Sequence, residues 1–290
     1  MDEFPVGPRP ACERPARLPL AMIKPASERF PRPTLAVLPS RYQASRFPGK
    51  PLALIAGRPM IQWAWEAARA AGGVDAVLVA TDDARIAAVV EGFGGRVAMT
   101  DPALPSGTDR VAAAVAAQGA GYDLILNLQG DEPAMHPETI AAVVAVMRAD
   151  PELPMGTAAC PFGSAEELFN PNAVKVVTDA AGRALYFSRS PIPHIRNSQV
   201  FQQDFRPWLR PEQLALFQRH LGIYAYRPEA LLRFTRLPPH PLEQLEMLEQ
   251  LRALAHGMAI GVARTPHLSL GVDVPGDVPA VEAVLAQRIR

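Results

Sequence analysis

From Thr34 onward, hydrophobic positions come in short dense runs, each followed by a stretch in which they recur every three or four residues. The run "TLAVLP" precedes "PMIQWAWEAARAAG", in which Ile61, Ala64, Trp65 and Ala68 share one helical face. "AVLVAT" precedes "ARIAAVVEGFG", "RVAMT" precedes "TDRVAAAVAAQ", and "DLILNLQ" precedes "PETIAAVVAVMRAD". This alternation predicts βαβ crossovers, and so a parallel sheet covered on both faces. The expected class is α/β: a Rossmann-like, mostly parallel sheet flanked by helices. Ligands of such sheets bind at the carboxyl ends of the strands.

Beyond about residue 150 the pattern changes. "NAVKVVTDAAGRALYFS" predicts two strands joined by a turn at Ala181-Gly182, an antiparallel insertion. Residues from about 190 to 218 carry many breakers and several aromatics, and predict a long excursion. "HLGIYAY" resumes strand character, "PLEQLEMLEQLRALAHG" predicts a helix ended by Gly257, and "AIGVAR" predicts a further strand. "GVDVPGDVPAVEAVLAQRI" then reads as a loop and a closing helix. Residues 1–33 are so rich in Pro and Arg that neither helix nor ladder strand is expected there. They read as a disordered extension before a single domain over 34–290.

With 290 residues, 49% of them hydrophobic, the chain can bury a substantial core. Lys plus Arg balance Asp plus Glu at 29 each, so no global field favours nucleic acid or a membrane surface. Any anion site must be local. Cys12 and Cys160 form no CxxC pair and no cluster with histidine, which argues against a disulfide framework and structural zinc and fits a reducing cytoplasm. No apolar run approaches the ~20 residues of a membrane span. The amino-terminal segment lacks the apolar region of a signal peptide.

Three stretches carry candidate chemistry. "LPSRYQASRFPGKPL" leaves the first strand with Arg41, Arg46 and Lys50, whose guanidinium forks and ammonium suit phosphate oxygens. The residues alone also allow a solvated basic turn. Ala44 and Pro51 rule out a Walker A loop, and no GxGxxG is present. "NLQGDEP" places Asp131 and Glu132 at the end of a buried strand, where a hard oxygen ligand for Mg²⁺ is well placed and where a simple turn cap is the alternative. "GVDVPGD" offers Asp273 as a second carboxylate. A polyphosphate held by basic groups together with a divalent ion points to nucleotidyl transfer.

Taken in order, "LPSRYQASRFPGKPL", "SGTDR", "LNLQGDEP", "FNPNAVKVV", "ALYFSRSPIP", "RHLGIYAYR", "PLEQLEMLEQLR" and "GVDVPGD" closely resemble the motifs of the 3-deoxy-manno-octulosonate (Kdo) cytidylyltransferases, the CMP-Kdo synthetases of lipopolysaccharide assembly. The resemblance runs from Leu35 to the end. It implies a fold of the nucleotide-diphospho-sugar transferase type, with an antiparallel sugar-binding and dimerisation subregion at about 155–225. The implied reaction joins CTP and Kdo to give CMP-Kdo and pyrophosphate. On the family pattern Arg41, Arg46 and Lys50 grip the triphosphate, Lys50, Arg46 and Asp131 are the catalytic groups, and Thr81, Asp82 and Ser106 lie around the nucleotide. Asp131 and Asp273 match the family's Mg²⁺ carboxylates. Gln129, Arg189, His220, Tyr224, Glu249 and Gln250 match positions used around Kdo.

The resemblance also implies a cytoplasmic homodimer, for which Phe201, Phe205 and Trp208 offer an apolar patch. Three departures stand out: "SGTDR" where the family usually has "SGTER", "TPHLSL" before "GVD" where a Pro-Gly-Thr type sequence is common, and a poor match over Asn197–Phe217. Two other readings remain open on sequence. One is a cytidylyltransferase for another 2-keto sugar acid, such as 8-amino-Kdo or a nonulosonate. The other is a binding protein without catalysis.

Overall fold

The computed structural model describes residues 33–43, 47–118, 121–196 and 209–289. The expected extension over 1–33 lies, but for Pro33, outside the described residues, as do Arg46, Phe201, Phe205 and Trp208. In chain order the elements are β1 (Thr34–Ser40), β2 (Leu54–Ile55), β3 (Arg58–Pro59), α1 (Met60–Ala70), β4 (Ala76–Thr81), α2 (Ala84–Gly92), β5 (Arg96–Met99), α3 (Gly107–Gln118), β6 (Leu124–Leu128) and α4 (Pro137–Ala149). The second half continues with β7 (Met155–Pro161), α5 (Ala165–Phe169), β8 (Lys175–Thr178), β9 (Ala184–Ser188), α6 (Pro211–Leu214), β10 (Gln218–Tyr226), α7 (Pro228–Phe234), α8 (Pro241–Glu246), α9 (Gln250–Ala255), β11 (Ile260–Arg264) and α10 (Val278–Ile289).

The main sheet runs β11-β7-β10-β6-β1-β4-β5. β1 is parallel to β4 and β6, β4 to β5, and β11 to β7. β10 alone on this path is antiparallel to its neighbours β6 and β7. The expected α/β class therefore holds. The period of two along each strand sorts side chains between the layers: Ala36 and Leu38 join α1, α2 and α4 on one face, while Leu35 and Val37 join α3 and α7 on the other. The helical face expected from Ile61, Ala64, Trp65 and Ala68 is buried. From β1 the chain crosses to β4 on one side and later returns to β6 on the other. Their carboxyl ends thus flank a topological switch point, the usual place for a ligand crevice.

Two features differ from the sequence reading. β7, "MGTAACP", was not evident as a strand because Gly and Ala have little β propensity, yet it is a wholly buried member of the main sheet apart from its last residue. The antiparallel insertion expected over "NAVKVVTDAAGRALYFS" is the β8–β9 hairpin, joined to the amino-terminal end of β10. The single helix expected over "PLEQLEMLEQLRALAHG" is instead two, α8 and α9, broken at Met247 with φ 52°. Tertiary bonds hold that break. Glu246 accepts from Ser188 Oγ (2.7 Å) and Arg189 N (2.9 Å), and the Arg189 guanidinium donates to the carbonyls of Glu246 (2.6 Å) and Met247 (3.3 Å).

Candidate functional site

The basic loop is shaped before it meets any ligand. Gly49 has φ 72°, its N–H donates to Tyr42 O at 2.8 Å, and a Cβ there would lie 3.1 Å from the Tyr42 ring. The left-handed backbone favours glycine, and a Cβ would press on the ring. The Arg85 guanidinium lies 3.4 Å from the centre of that same ring. Lys50 then opens a short 3₁₀ turn, Lys50–Leu52, with Pro51 fixing its backbone. Its Nζ lies 2.6 Å from Asp131 Oδ2 and 3.9 Å from Asp273 Oδ1, so one ammonium faces both candidate metal carboxylates.

Those carboxylates come from segments 142 residues apart, positions 131 and 273, sewn together by a backbone bond from Val272 N to Asp131 O at 2.9 Å. A Cβ on Gly271 would sit 3.3 Å from the same carbonyl, so a small residue permits the approach. Val272 is buried with Ile55, Met60, Trp63 and, from α10, Val281 and Leu285. The closing helix thereby fixes where Asp273 stands. Two carboxylates converging on one cation form a hard-oxygen donor set, which fits Mg²⁺.

At the end of β4, Asp82 pairs with the fully buried Arg110 at 2.7 Å. Arg110 also bonds Thr100 Oγ1. Thr81 ends β4: its carbonyl accepts from Thr100, and its hydroxyl accepts from Asp83 N at 3.2 Å. Arg41 donates to Leu104 O at 2.6 Å, which ties the loop after β1 to the segment before α3. Ser106 Oγ donates to Asp109 Oδ2 (2.7 Å) and accepts from Asp109 N (3.1 Å). The shorter carboxylate of "SGTDR" thus closes on its own cap.

Across the site lies a cavity of about 730 Å³. Gln129, Asp131, His220, Tyr224, Glu249, Gln250 and Asp273 all line it. Of the sequence candidates around the sugar, only Arg189 does not; its guanidinium is held by the carbonyls of Glu246, Met247 and Pro171, where it braces the α8–α9 break. β10 carries a register shift between Leu221 and Tyr224, and Thr157 Oγ1 donates to Ile223 O there at 2.7 Å. Since that bond takes the only hydroxyl proton of Thr157, the contact to His220 Nε2 at 2.9 Å makes Nε2 the donor. Nδ1 is left as an acceptor. Burial pushes the His220 imidazole down to about 3, so the ring works as a neutral group.

Glu249 accepts from Thr108 Oγ1 at 2.7 Å, and burial raises its carboxyl above the usual range. Gln250 is 2% exposed, and among the described residues its Nε2 has no hydrogen-bond partner. Gln250 also lines the cavity, so a polar side chain with an unmet donor stands in its wall.

Several contributors escaped the sequence reading. Gln129 Nε2 donates to Asn127 Oδ1 (3.2 Å), Asn127 Nδ2 to Thr108 Oγ1 (3.3 Å), and Thr108 Oγ1 to Glu249. This chain of bonds links β6, α3 and the α8–α9 break beneath the cavity. Asn127 and Thr108 sit inside "LNLQGDEP" and "SGTDR", but nothing in the linear order says that those motifs touch. Glu132, Asn170, Asn172 and Arg219 also line the cavity. Burial pushes the Glu132 carboxyl up to about 7, and Gly222 leaves room for it, since a Cβ there would lie 2.4 Å from Oε1.

A switch-point crevice with a lysine between two carboxylates and a polar pocket beside it defines an α/β nucleotidyltransferase, and the model of the cytidylyltransferase family matches residues 35–260. The chain is 52% identical over 250 residues to the 3-deoxy-manno-octulosonate cytidylyltransferase of Syntrophotalea carbinolica, covering 86% of this chain and 97% of that one. It is 46% identical over 255 residues to that of Myxococcus xanthus, covering 88% and 97%. Among solved structures it resembles CMP:2-keto-3-deoxy-manno-octonic acid synthetase complexed with CTP, with TM-score 0.78 and 41% identity over 88% of this chain and 99% of that one. The chain belongs to the 3-deoxy-manno-octulosonate cytidylyltransferases.

Proposed function

We propose that this enzyme couples CTP to Kdo, giving CMP-Kdo and pyrophosphate for lipopolysaccharide synthesis. The observation that carries this reading is the pairing of a shaped basic loop and converging carboxylates with a polar cavity lined by Gln129, His220, Tyr224, Glu249 and Gln250. The anomeric hydroxyl of Kdo attacks the α-phosphorus in line; its new O–P bond forms as the bond to the β-phosphate oxygen breaks. No enzyme nucleophile is needed, so catalysis rests on position and charge.

Lys50 and Arg41, with Arg46, hold the triphosphate, and Lys50 offsets charge on the reacting phosphoryl group. Asp131 and Asp273 would hold Mg²⁺, which supplies charge neutralisation at the α-phosphate and leaving group. The Lys50 ammonium faces both carboxylates, so the same group stands where metal and phosphate would meet. Thr81, Asp82 and Ser106 border the nucleotide. Gln129, His220, Tyr224, Glu249 and Gln250 receive the sugar acid, with Arg189 bracing the break that presents the last two.

A homodimer belongs to the same reading. Leu245 (82% exposed), Met247 (75%), Leu216 (68%) and Leu185 (61%) all lie in the second half of the chain, where apolar surface invites a partner. A monomeric mass in light scattering at micromolar concentration would refute it. A cytoplasmic setting, where CTP is at hand, is part of the same proposal. Among the described residues no helix is long and apolar enough to cross a membrane.

Pyrophosphate release with Mg²⁺ and CTP, UTP, ATP or GTP, against a panel of Kdo, 8-amino-Kdo and nonulosonates, tests the reading. Release that needs CTP and is fastest with Kdo supports it. Preference for another sugar acid would move the substrate while keeping the chemistry, and CTP binding without release for any acid would leave a binding protein.

A further inference from the structure

We infer a second metal site, outside the cavity, made by His136, Glu138 and His267 for a borderline divalent cation of the Zn²⁺ type. One ligand atom from each of the three lies within 4.8 Å of the others. His267 Nε2 is 2.7 Å from Glu138 Oε2, and the rings of His136 and His267 are stacked with centroids 3.7 Å apart. Two imidazoles and a carboxylate suit Zn²⁺, Co²⁺ or Ni²⁺ better than Mg²⁺, which prefers oxygen alone. The Glu138 side chain is 75% exposed and that of His267 29%, so a cation can enter and water can complete its shell.

The geometry also sets the cost. Rings stacked at 9° cannot both aim a lone pair at one ion, so one of them turns about its side-chain bonds on binding. The His136 cap bond from Glu138 N is already long, at 3.3 Å, and the cation replaces it. Arg288 is the nearby positive group, and its guanidinium is held by the carbonyls of Ala134 and Met135.

The position gives the site its interest. His136 follows the segment that carries Asp131, and His267 lies in "TPHLSL", the segment that leads to Asp273 and departs from the usual family pattern. Thr139 and Thr265 bond across the same seam at 3.0 Å. A cation here ties both carboxylate-bearing segments at a point outside the cavity lining. No spacing rule reveals the trio, since its histidines are 131 positions apart, at 136 and 267.

The test is Zn²⁺ titration of the whole protein in excess Mg²⁺ against a chromophoric chelator, with Co²⁺ absorption reporting nitrogen ligation. The expected result is one equivalent bound with micromolar affinity or better, unchanged by Asp131→Asn and weakened roughly tenfold or more by His267→Ala or His136→Ala. Glu138→Gln, at an exposed position, gives a variant whose folding is not in question and should also weaken binding. Absence of bound Zn²⁺, or binding indifferent to all three changes, overturns the proposal.

Discussion

On the proposed reading, the nucleotide end and the sugar end of the site are built in opposite ways. The nucleotide end sits on regular structure: loops leaving the parallel strands β1, β4 and β6, with its charges already paired, Lys50 with Asp131 and Arg110 with Asp82. The sugar end sits on interruptions: a register shift in β10, a helix broken at Met247, and a buried Gln250 Nε2 with no hydrogen-bond partner among the described residues. Paired charges hold the first region in shape, whereas the second is held by backbone irregularities and the contacts that brace them. Strained backbone at such a place is supported by contacts made elsewhere, here those of Arg189 and Glu246.

If the ends divide the work in this way, substitutions should separate their kinetic effects. Lys50→Ala should lower kcat by roughly 10²–10³, the usual loss for one charge-stabilising group, with little change in the KM for Kdo. Steady-state kinetics with each substrate varied would show it, and an unchanged kcat would remove Lys50 from the chemistry. Gln250→Met should act in the opposite sense, raising the KM for Kdo roughly three- to tenfold, the worth of one hydrogen bond, while leaving that for CTP alone. Equal effects on both substrates would dissolve the distinction between the ends.

His220 sharpens the comparison through pH. Its native value, about 3, lies below the ordinary 6.5, so as pH falls past 6.5 the unfolded chain takes up a proton that the folded one refuses. Stability should therefore drop progressively from pH 6.5 towards 3, by at most about 1.4 kcal/mol per unit from this group. Urea midpoints should show a shallower acid slope in His220→Gln. The smallest effect is expected at Met247, exposed and with φ 52°. Met247→Gly should relieve that backbone and raise stability by up to about 1 kcal/mol, read from the same urea curves.

The contrast also explains what could be read in the chain. Period-two runs and helical faces revealed β1, β4, β6 and α1 through α4, because regular burial leaves a regular pattern. The basic loop and both acidic motifs stood out for a related reason: each is a short stretch whose notable residues are close in sequence. β7 was hidden because Ala and Gly fill a buried strand without the branched side chains that mark one. The α8–α9 break was hidden because "PLEQLEMLEQLRALAHG" is locally a good helix, overruled by bonds from Ser188 and Arg189 some 58 residues away. The relay through Asn127 and Thr108 joins segments that only the folded sheet brings together. Arg189 stood in a recognisable motif, yet its place is behind the wall rather than in it.

The most direct measurement is pyrophosphate release with Mg²⁺, CTP and Kdo by the native protein and by Asp131→Asn, with CTP binding followed in parallel. Release that requires both substrates and collapses in the variant, while CTP still binds, is the predicted result. Undiminished release by Asp131→Asn would contradict the account at its centre, because Asp131 would then hold neither the metal nor the geometry of the reaction.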